Sequence, residues 1–69
     1  MPQPDVATVS AELHSVTETL IRQRDRVGAL AEPFLGTARE DIVIAVHEAE
    51  RQLQMATRAL QRAIKAIER

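Results

Sequence analysis

The apolar residues of this 69-residue chain fall into two heptad stripes that run from opposite ends and meet at one turn, a pattern that suits paired helices and little else. Val6, Val9, Leu13, Val16, Leu20, Val27 and Leu30 follow 3-4 spacing, and Gln23 is the one polar residue interrupting them. After Pro33-Phe34-Leu35-Gly36 the pattern resumes at Ile42, Val46, Ala49, Leu53, Ala56, Leu60, Ala63 and Ile67. Folding the chain back between Phe34 and Leu35 sets Val6 against Ala63, Val9 against Leu60, Leu13 against Ala56, Val16 against Leu53, Leu20 against Ala49 and Val27 against Ile42, every pair totalling 69. One register thus satisfies the whole seam. The expected fold is all-α: a single domain over 1–69, an antiparallel two-helix hairpin of coiled-coil type, with helix 1 at about 5–32, a turn at 33–36 and helix 2 at about 37–68.

Local signals agree with those boundaries. Asp5 is placed to cap the first amides of helix 1 and to complement the positive end of its dipole. Pro33 disfavours helical geometry in the residue before it and brings no amide, so helix 1 should stop at Glu32. Thr37-Ala38-Arg39-Glu40 reads as a capping box opening helix 2, whose last turns carry Arg62, Lys65 and Arg69 toward the negative end of the dipole. Gly28 inside helix 1 is a weak point or a place of close approach. Phe34 and Gly36 are the turn residues, the first covering the open end of the pair and the second supplying the backbone angle of the reversal.

A chain below about 70–80 residues rarely gains more than ~3–5 kcal/mol from one core, and this one has no cysteine with which to staple itself. It also carries more apolar surface than a two-helix seam uses. Ala45, Ala59, Ala66, Ile21, Ile44, Met55 and Ile64 all fall outside the paired positions, and a second hairpin would cover many of them. These seven are the expected partner-binding residues, and the expected assembly is a dimer forming a four-helix bundle, with a second copy or with a related hairpin. Gln23, opposite Val46 in this register, would find its hydrogen bonds in a symmetry mate, a neighbouring chain or water.

Chemistry-bearing constellations are missing from the pattern. His14 and His47 fall on outer faces, His14 opposite Met55, too far apart along the hairpin to share a metal. No Glu-x-x-His occurs, the serines and threonines of helix 1 have no adjacent base, and two glycines make no phosphate-cradling loop. No catalytic residue, cofactor site or metal site is expected, and the chain reads as a non-enzymatic interaction module. No apolar run approaches the ~18 residues of a membrane span, and no signal peptide is legible, so a cytoplasmic protein is the simplest expectation.

Net charge is −1, but its order along the chain sets acidic stretches of one helix beside basic stretches of the other, which favours antiparallel pairing. Arg51, Arg58 and Lys65 share one heptad column and Arg62 flanks it. A basic strip of this kind can hold phosphates, and the alternative reading is a nucleic-acid-binding regulator resembling the Rop-type dimeric hairpins, with these four residues on the phosphates. The one aromatic residue, Phe34, gives no stacking platform, and the acidic side chains of helix 1 compete for the strip, so nucleic acid is the less favoured partner.

The segment Leu30-Ala31-Glu32-Pro33-Phe34-Leu35-Gly36-Thr37-Ala38-Arg39-Glu40 resembles the turn of the Trp-x-Gly family of small type VII secretion substrates, the early secretory antigenic target-like hairpins. Phe34 takes the place of the Trp and Gly36 that of the Gly. The resemblance implies an antiparallel hairpin that dimerises into a four-helix bundle, and export by a route that needs no signal peptide.

Overall fold

The computed structural model describes residues 5–68, and these form two long helices packed side by side: α1 (Val6–Ala29), a short 3-10 helix (Glu32–Phe34) and α2 (Glu40–Glu68). Arg69, expected on the last turn of the second helix, lies outside the described residues. Helix 1 begins where Asp5 dictates. Its carboxylate accepts from the Thr8 amide at 3.2 Å and from the Thr8 hydroxyl at 2.6 Å, and both bonds, the hydroxyl's first, hold the Asp5 carboxyl below its ordinary range. A lowered folded-state value means that this contribution is present above the ordinary carboxylate range and lost as pH falls through the lowered one. Asp41, beside Arg39, and Glu48, beside Arg51, are lowered in the same direction. We therefore expect helix content to decline as pH drops from about 5 to below 3, and Asp5→Asn, which keeps a capping oxygen, to flatten part of that decline in a circular dichroism titration.

The turn is longer than its sequence suggests. Helix 1 ends at Ala29 rather than Glu32: Leu30 donates to the Val27 carbonyl at 3.1 Å and Ala31 to the Gly28 carbonyl at 3.3 Å, so the backbone tightens to i→i+3 bonding ahead of the missing Pro33 amide. The expected capping box does not form either. Thr37 turns its hydroxyl back to donate to the Phe34 carbonyl at 2.6 Å and accepts from the Arg39 amide at 3.2 Å, and helix 2 starts at Glu40 instead of Thr37. Gly36 makes the reversal at φ +73, the one positive φ among the described residues. A Cβ there would meet nothing within 4 Å, so Gly36→Ala should cost only the left-handed backbone strain, roughly 1–2 kcal/mol in urea unfolding.

The register and the seam differ from the sequence expectation. Arg24 donates to the Gln54 side chain, and a Cβ on Gly28 would lie 2.9 Å from Glu50 Cδ; both residue pairs total 78, not 69. Gly28 is therefore a point of close approach, but by a side chain rather than a backbone. Within one residue of that pairing, Ser10 comes level with Ile67, Leu13 with Ile64, Thr17 with Leu60, Leu20 with Thr57, Arg24 with Leu53, Val27 with Glu50, Ala31 with Val46 and Phe34 with Val43, each pair totalling 77. Leu13 no longer sits across from Ala56.

Three columns on each helix now have distinct roles. An inner column, Ser10, Thr17 and Arg24 on α1, continued past its end by Ala31, with Val43, Glu50, Thr57 and Ile64 on α2, points into the contact. A shared column, Leu13, Leu20 and Val27 with Val46, Leu53, Leu60 and Ile67, is half-buried throughout. An open column, Val9, Val16, Gln23 and Leu30 with Ile42, Ala49, Ala56 and Ala63, holds the remaining half of the expected seam and lies to one side. Gln23 is thus exposed, and Arg24 takes the half-buried polar position instead. Thr17 and Thr57, 6% and 3% exposed, can sit inside because each hydroxyl donates to its own helix, to the Leu13 carbonyl at 2.7 Å and the Leu53 carbonyl at 2.9 Å, leaving only a methyl toward the neighbour. Among the described residues no buried side-chain polar atom lacks a partner. The buried apolar core is small: Ala31, Val43 and Ile64.

Candidate interaction face

The two sides of the helix contact are chemically opposite. In an antiparallel pair, the column beside the seam on one helix faces the equivalent column of the other, giving the hairpin two flanks. One flank is polar: His14 Nε2 lies 3.3 Å from Glu68 Oε1, Arg24 reaches Gln54, and Glu50 lies across Gly28. An open groove there is lined by His14, Thr17, Gln61, Ile64, Lys65 and Glu68. His14 therefore stands beside Glu68 rather than Met55, because the register has moved.

The other flank is apolar. The open columns of both helices turn to it, bordered by the half-buried shared columns, with Val9 at 44%, Val16 at 45% and Leu30 at 63% exposure. Ala45, Ala59 and Ala66 extend it around α2, and all three are exposed. The other expected partner-binding residues separate from it. Ile64 is buried within the hairpin's own contact, Ile21 is half-buried on the polar flank, and Ile44 and Met55 are exposed on the outer surface of α2. The stripe of highest apolar content on each helix is the shared and open columns together; the shared column enters the contact between the helices, and the open column lies beside it.

The basic column lies away from this face. Arg51 donates to Glu48 at 2.5 Å, and the carboxylate holds its guanidinium above the ordinary arginine range. Among the described residues Arg58, Arg62 and Lys65 form no ion pair. The acidic residues of α1 do not reach the strip, contrary to expectation: Glu12 and Glu18 point outward, and the pairs Arg24–Asp25, Arg39–Asp41 and Arg51–Glu48 are all local. The described residues hold no group of three or more metal-ligating side chains and no helix long and apolar enough to cross a membrane. No family model matches the chain, and no curated protein and no solved structure matches it closely enough to show kinship.

Proposed function

We propose that this chain is a non-enzymatic protein–protein interaction module whose apolar flank is closed by a second helical hairpin, giving a four-helix bundle. The observation that carries this reading is the direction of the apolar stripe. A helix with one neighbour presents its most apolar columns to that neighbour; a helix in a four-helix bundle presents them to the bundle centre, between two neighbours. Here the stripe centres between the shared and open columns on both helices, turned toward the same flank. Sedimentation velocity at micromolar concentration should give a dimer or larger species, and a folded monomer would contradict the proposal. The likeness of Phe34-Leu35-Gly36 to the Trp-x-Gly turn extends the reading to type VII secretion, and finding the protein in culture fluid without a cleaved signal peptide tests that extension.

A second reading rests on the unpaired cations Arg58, Arg62 and Lys65: a Rop-like regulator that docks this strip on phosphates. It requires salt-sensitive RNA or DNA binding that weakens on Arg58→Ala, and no binding at low salt removes it.

A further inference from the structure

We draw no further inference here: the strongest candidate, the apolar flank along Val9 and Val16 of α1 and Ala49 and Ala56 of α2, carries nothing beyond the proposed function because nothing in the structure shows what covers it.

Discussion

The Leu20→Asp variant should lose its cooperative unfolding transition and most of its helix signal at 25 °C. Leu20 occupies the shared column, half-buried and level with Thr57, whose hydroxyl is committed to the Leu53 carbonyl and offers a carboxylate nothing. An unpaired charge in such a place costs several kcal/mol, and a hairpin of this size has no more than about that much stability to lose. Leu53→Asp, in the same half-buried column, should lose its transition likewise, since Arg24, the cation nearest its level, directs its guanidinium to Gln54 and Asp25.

Val16→Asp should abolish self-association while Ile44→Asp leaves it nearly unchanged, although Ile44 is the more exposed of the two at 65% against 45%. Exposure alone would rank them the other way. Val16 stands in the open column, and a bundle buries it twice; two desolvated carboxylates amount to several kcal/mol, a loss on the order of a thousandfold in affinity. Ile44 lies on the outer surface of α2, away from the apolar flank, and a charge there stays in water. Sedimentation equilibrium of the two variants beside the parent checks the pair of expectations.

Much of this fold is legible from residues. Two helices, one reversal, the Asp5 cap and the special backbone angle at Gly36 all follow from spacing and side-chain chemistry, because each depends on a few neighbours in the chain. The pairing of the helices does not. Each residue by which the reversal moves along the chain shifts the pairing by two, and the 3-10 turn through Pro33 with the inward-turned Thr37 hydroxyl moves it by several. The choice of seam fails for a different reason. Ser10, Thr17, Glu50 and Thr57 read as a solvated column, and nothing local announces that the two buried threonines satisfy their hydroxyls on their own helices. Nor does a stripe of apolar residues declare how many neighbours it serves. The partner-binding set divided accordingly: Ala45, Ala59 and Ala66 border the apolar flank, Ile64 went inside, and Ile21, Ile44 and Met55 went elsewhere.

The dependence of thermal unfolding on protein concentration bears most directly on whether the apolar flank is covered by a partner hairpin. If helix formation is coupled to association, the midpoint followed by circular dichroism must rise steadily as the protein is concentrated from the low micromolar range upward. A midpoint that stays constant across that range, with the helices intact, would mean that the hairpin stands alone with its apolar flank in water.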